Sequence, residues 1–146
     1  MNLLTSDEIN LLSRIGFIAI SQRDKTRALA IFSLLKQLRP DHSLPIIGIA
    51  LTWIGMKEPI YAVKLLEKTV LRDIYEQYIV LIYLGLALML DKKYKESRRI
   101  LNTVIKEIAE KIKLNNDENL TANSSVLQAY EMGKELLGEI NKHHLI

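Results

Sequence analysis

The sequence predicts an all-α fold, and three observations carry that prediction. The chain has 146 residues, of which 49% are hydrophobic but only 6% aromatic, and the apolar set is dominated by 25 Leu and 19 Ile. An aliphatic palette of this kind suits helices that pack by interdigitating their side chains. Residue types also recur at a fixed interval. Gly16, Ala50 and Gly85, then Ala28, Ala62 and Ser97, then Phe32, Leu66 and Leu101 are each separated by 34 and 35 residues. Three positions in one two-step register mark an internal repeat of helix-pair length. Near the C-terminus, Val126, Tyr130, Gly133, Leu137 and Ile140 follow at spacings of 4, 3, 4 and 3, which is one apolar face of an amphipathic helix. At this length, residues 1–146 read as a single domain.

Local signals place the elements in order. Thr5-Ser6-Asp7-Glu8 has the pattern of a capping box, with Thr5 able to cap and Glu8 able to reach back, so the first helix should begin near Ser6. Pro40 stops the second helix, because proline lacks the N–H that a helix interior needs. Pro45 suits the first turn of the third helix. Pro59, after Lys57 and Glu58, suits the turn into the fourth. Lys92-Lys93-Tyr94-Lys95-Glu96-Ser97 forms the next inter-helix turn, and the helix starting near Lys95 should run to about Lys113. Asn115-Asn116-Asp117-Glu118-Asn119 reads as a polar loop before a last helix over about residues 124–142.

Composition narrows the chemistry. Three Pro and six Gly are too few for a disordered chain of this length, and the absence of Cys removes disulfides, thiol nucleophiles and thiolate metal sites. A net charge of +3 is not the footprint of a nucleic-acid binder. The densest basic stretch, Lys92, Lys93, Lys95, Arg98 and Arg99, is interleaved with Glu96 and apolar residues and reads as a solvated helix start. The longest uncharged apolar runs, residues 44–56 and 78–90, are 13 residues each. A bilayer span needs roughly 20, so no integral membrane segment is expected. The N-terminus has no basic region followed by an apolar one, and a cytoplasmic location is expected.

The tempting single residues read blandly. Adjacent His143 and His144 diverge on a helix, and His42 stands alone, so no metal site is expected. Glu107 with Glu110, and Asp7 with Glu8, lack a partner base or a phosphate loop and read as helix surface. Asn119 and Asn123 match the glycosylation pattern but read as loop and cap residues. Trp53 reads as core or groove wall. No catalytic residue and no cofactor is expected, and the chain does not read as an enzyme.

The period and its spacing resemble the tetratricopeptide repeat. The first repeat shows Leu12-x-x-Ile15-Gly16-x-x-Ala19, Ala28-x-x-x-Phe32 and Pro40; the second Ile46-x-x-Ile49-Ala50-x-x-Trp53 and Ala62-x-x-x-Leu66; the third Leu81-x-x-Leu84-Gly85-x-x-Leu88 and Ser97-x-x-x-Leu101. The resemblance implies repeats over about residues 9–42, 43–76 and 78–111, stacked as three helix pairs in a right-handed superhelix with a C-terminal capping helix. It also implies that the first helix of each pair lines a concave surface. The side chains carried onto that surface are Asn10, Ser13, Phe17, Ile20 and Ser21, then Leu44, Ile47, Leu51, Ile54 and Gly55, then Ile79, Ile82, Leu86, Met89 and Leu90.

Eight of these are large apolar residues beyond what repeat packing requires: Phe17, Ile20, Ile47, Leu51, Ile54, Ile82, Leu86 and Met89. They are the candidate partner-binding groove. A helix that is apolar all round has to be covered in water, and the C-terminal helix, a second copy of the chain forming a homodimer, or a client segment would each serve. A clamp for a terminal carboxylate is not expected, because such a site needs Lys, Arg and Asn where this chain has Ser13, Phe17, Ile47, Leu51, Ile82 and Leu86.

In groove chemistry the chain resembles the small cytoplasmic chaperones of bacterial type III secretion systems. That resemblance implies a non-catalytic chaperone whose client is a needle subunit, translocator or export component with an amphipathic helix. The alternative reading is a scaffold or adaptor that joins two stable partners.

Overall fold

The computed structural model describes residues 4–115 and 124–143. They form seven α-helices and no strand: α1 Ser6–Ser21, α2 Lys25–Leu38, α3 Ser43–Gly55, α4 Pro59–Lys68, α5 Ile74–Leu90, α6 Tyr94–Asn115 and α7 Ser124–His143. Consecutive helices pack as pairs, α1 with α2, α3 with α4 and α5 with α6, and each pair packs on the next. α7 packs on α5 and α6. Residues 116–119 of the expected polar loop, Asn119, Asn123 and His144 lie outside the described residues.

The turn inside each pair is built the same way three times. Arg23, Lys57 and Lys92 have φ of 59°, 62° and 64°, the left-handed conformation that ends a helix. Around the first, the Arg23 N–H donates to Ile20 O at 2.9 Å and the Asp24 N–H to Ala19 O at 2.8 Å, the paired bonds of a Schellman turn. Lys57 and Glu58 repeat this on Ile54 and Trp53, and Lys92 and Lys93 repeat it on Met89 and Leu88. The three left-handed residues follow the 34 and 35 residue steps of the repeat.

Helix starts follow from side-chain caps. Thr5 Oγ1 accepts from the Glu8 N–H at 3.1 Å while Glu8 Oε1 accepts from the Thr5 N–H at 3.1 Å, so the capping box closes and α1 begins at Ser6 as expected. Asp24 caps α2 through the Arg27 N–H. Pro59 takes the first turn of α4, where a missing N–H costs nothing. α5 starts at Ile74, inside the span assigned to the second repeat, because Asp73 accepts from the N–H groups of Tyr75 and Glu76. Gln77 then latches the connection from α4, accepting from the Leu71 N–H at 2.7 Å and donating to Thr69 O at 3.2 Å.

The repeated small residues are close-approach points. Phe32 is fully buried between α1 and α3, where a Cβ on Gly16 would meet its ring at 2.7 Å and the Cβ of an alanine at position 48 would meet it at 2.3 Å. Gly85 admits Leu101 in the same way, since a Cβ there would lie 2.5 Å from the leucine Cδ2. Ser97, which stands where its register partners have Ala, is buried without penalty because its hydroxyl donates to Gly85 O at 2.7 Å. Two core clusters result. One joins α3, α4 and α5 through Ala50, Ala62, Leu66, Val80 and Leu84. The other joins α5, α6 and α7 through Ile79, Ile82, Val104, Ile108, Val126 and Ile140.

Candidate functional site

The first helices of the pairs, α1, α3 and α5, together with α7, border a cleft of about 520 Å³. Its apolar lining comes from Phe17 on α1, Leu44, Ile47 and Leu51 on α3, Ile79 and Tyr83 on α5, and Ala129 and Met132 on α7. α7 is therefore both a cap on the last pair and a wall of the cleft. It covers the α5 part of the expected groove and leaves the part between α1 and α3 open. A smaller hollow of about 220 Å³, bordered by Ser13, Leu35, Arg39 and Pro45 among others, opens beside it and shares His42 and Leu44.

Polar groups cluster where the α3 N-terminus meets α5. Ser43 Oγ donates to Glu76 Oε2 at 2.9 Å, and His42 Nδ1 lies 3.4 Å from Glu76 Oε1. Because Ser43 begins α3 and Glu76 sits in the first turn of α5, this bond ties two neighbouring pairs together on the cleft side. Tyr83 adds one neutral polar group, since burial pushes its phenol pKa above the ordinary 10.0. The pKa of Tyr78, behind the cleft in the α5 core, is also raised, first by burial and then by the negative charge of the nearby Glu107 carboxylate. Among the described residues no three His, Asp or Glu side chains gather as a metal site would require.

Of the eight candidate groove residues, the structure brings Phe17, Ile47 and Leu51 into this cleft. The other five do not line it. Ile82 is fully buried, because α7 lies over it at Gly133, where a Cβ would stand 3.5 Å from Ile82 Cγ1, so it is a core residue. Ile47 keeps its place in the cleft wall but is buried against the same core. Ile20 packs toward Gly55, where a Cβ would lie 3.4 Å from its Cγ2, and Ile54 packs on the α3–α5 core. Met89 borders a separate hollow of about 320 Å³ at the far end of α7, with Tyr94, Glu139 and His143. Leu86 is half-buried and does not line the cleft. Trp53 faces away from it, 4.8 Å from the Tyr61 ring and with Lys25 Nζ 4.7 Å over its own.

The sequence reading missed Tyr83, Glu76, Ser43, His42 and the α7 contribution. Tyr83 follows Ile79 by one helical turn and was detectable by that spacing. The α7 residues were not, since nothing in a periodic pattern says which face of a stack a later helix will lean on.

No described helix is long and apolar enough to cross a membrane. No family model and no curated protein matches the chain. Among solved structures, the crystal structure of the Sgt2 TPR domain from Aspergillus fumigatus is similar, with a TM-score of 0.58 and 16% identity over 94% of this chain and 83% of that one. A likeness at that identity is one of fold, and the fold is a tetratricopeptide-type stack of helix pairs.

Proposed function

We propose that the chain is a non-catalytic, cytoplasmic protein-binding chaperone that holds an apolar helical segment of a secretion-system component against the cleft. The observation that carries this reading is the convergence of Phe17, Leu51, Tyr83 and Met132, all only half-buried, from four helices around one open volume of about 520 Å³. A volume of this size does not enclose a helix, whose diameter with side chains is about 10–12 Å. It suits the anchor side chains that an amphipathic helix presents at positions i and i+4. Each aliphatic anchor that becomes fully buried contributes roughly 1.5–3 kcal/mol. α7 lies on the α5 side in the manner of such a helix, and the client would take the neighbouring α1–α3 side. The carboxylate of Glu76 at one end of the cleft favours a client with a donor or a basic residue at that end. Covering its own apolar face in this way would keep the client from polymerising before export.

The test is co-expression with a needle-type subunit that is insoluble alone. The reading expects a soluble complex with the wild-type chain and none with Leu51→Asp, while far-ultraviolet circular dichroism of the variant stays helical. A partner equally soluble without this chain would instead describe a scaffold, and a complex indifferent to Leu51→Asp would remove the cleft from the explanation.

A further inference from the structure

The hollow of about 220 Å³ beside the cleft is bordered by a cation that no acidic side chain answers. Arg39 ends α2, where its backbone N–H closes the helix on Leu35 O at 2.8 Å and Pro40 prevents continuation. A cation at a helix C-terminus is favourable in general, and it normally keeps its head in water. Arg39 does not. Its Nε is shut off from solvent and has no hydrogen-bond partner among the described residues. A buried donor left unpaired is costly, more so when it carries charge, and native folds keep few of them.

The rest of the lining suits an anion. No Asp or Glu borders the hollow: Asp7 and Glu8 on α1 and Asp41 lie outside its lining, as do Arg14 and Lys36, and Glu76 stands across His42 on the cleft side. The start of α3 borders it at His42, Leu44 and Pro45, and that helix has no side-chain cap, whereas Thr5, Asp24 and Asp73 cap α1, α2 and α5. The positive end of the α3 dipole therefore acts in the same sense as Arg39. Exposed Asn10 adds an amide donor, while the Ser13 hydroxyl is already given to Ile9 O at 2.9 Å.

We infer that the hollow takes the carboxylate side chain of an Asp or Glu in the segment seated in the cleft, held by the Arg39 guanidinium. The inference rests on the chaperone reading above and adds a recognition element to it. Hollow and cleft share His42 and Leu44, so a chain lying in one passes the other. A volume of about 220 Å³ admits a side chain and not a helix, and the buried Leu35 and Pro45 receive its methylene groups. Guanidinium and carboxylate form charge-assisted hydrogen bonds, which are the strong ones. With Glu76 on the cleft side, the segment meets charges of both signs, and these fix the direction in which it lies.

The free chain tests the site without a client. Sodium propionate, titrated at constant ionic strength, should shift the Arg39 Nε–Hε resonance and the Leu44 amide saturably, and propionamide and sodium chloride should not. Arg39→Met should abolish the Leu44 response without lowering Tm, because it removes a buried donor and breaks no bond. In the complex with the needle-type subunit, Arg39→Met should weaken binding about tenfold. A single Asp→Asn or Glu→Gln change in the subunit should weaken it equally, with no further loss when the two are combined. A propionate response absent or matched by chloride, a clear fall in Tm, or a loss reproduced only by amidating the subunit's C-terminus overturns the inference. A complex that Leu51→Asp removes and Arg39→Met leaves intact also overturns it while retaining the chaperone reading. A complex indifferent to Leu51→Asp overturns that reading, and the propionate titration still settles whether the hollow binds a carboxylate.

Discussion

Replacing Gly48 with Ala would put a methyl carbon 2.3 Å from Cδ1 of Phe32, 2.4 Å from Cε1 and 2.5 Å from Cγ. Carbon atoms in good contact stand about 3.5–4.0 Å apart, so the ring would have to retreat by more than about 1 Å. It has nowhere to go, because the opposite side of the same ring already faces the backbone of Gly16, whose own Cβ position is 2.7 Å away. The atoms struck include the root of the ring, so a change of its outer edge alone gives no relief. Overpacking a closed core costs about 1–3 kcal/mol, and this site belongs at the upper end. Alanine returns up to about 1 kcal/mol through helix propensity. The expected net loss is about 2 kcal/mol, or roughly 4–8 °C in Tm for a chain of this size. The internal control is Gly138→Ala, where nothing lies within 4 Å of the new atom and propensity acts alone, so stability should rise by about 0.5–1 kcal/mol. Urea and thermal unfolding followed by far-ultraviolet circular dichroism would measure both. Phe32→Leu should cost less in the Gly48→Ala background than in the wild type, the signature of a shared cavity. Equal stability of Gly48→Ala and wild type, or additive effects of the two substitutions, would refute the close-packing argument.

Other expectations come from particular residues. Lys57→Gly should stabilise the chain by about 0.5–1 kcal/mol in the same unfolding assay, because a Cβ at φ 62° is strained and glycine relieves it. The Glu8 pKa lies below its ordinary 4.5, chiefly through the hydrogen bond from the Thr5 backbone and then that from its side chain. Because folding lowers this pKa, the contribution is present above 4.5 and is lost as pH falls through the lower folded value. Protection factors of the amides in the first turn of α1, taken against the intrinsic exchange rate at each pH, should therefore fall over that acidic window in the wild type and show no such step in Glu8→Gln. Leu51→Asp should remove client binding while leaving helicity intact, since Leu51 is only half-buried at the cleft; loss of the folded state would show instead that it is core.

The helix pairs were legible because close packing forces small residues into fixed places. Gly16, Gly85 and Ser97 stand where another helix's side chain or backbone arrives, and such contacts recur once per repeat. Gly48 escaped this reading. It is not in register with Gly16, and it is needed because Phe32 is larger than Leu66, its counterpart one repeat later. Ile82 was assigned to an open groove for the opposite reason. Its position in the repeat is concave, but a glycine more than fifty residues downstream lets α7 lie over it. A periodic pattern records what each helix offers its neighbours, and it is silent on which non-repeating element accepts the offer. The polar end of the cleft was hidden likewise, since Ser43 and Glu76 meet only after two pairs have stacked.

The identical turns at Arg23, Lys57 and Lys92 have a mechanical consequence. Each is closed by paired backbone bonds and centred on a residue that lacks glycine's freedom, so α1 with α2, α3 with α4 and α5 with α6 behave as three stiff hairpins. Any breathing of the stack is then concentrated in the connections between hairpins. One of these, residues 69–73, is braced by Gln77, whereas residues 39–42 lead directly into the Ser43–Glu76 bond at the cleft. That bond ties α3 to α5 and so adds to the Gln77 brace between the second and third hairpins, which leaves the joint at residues 39–42, between the first and second, as the place where movement of α1 would widen the cleft.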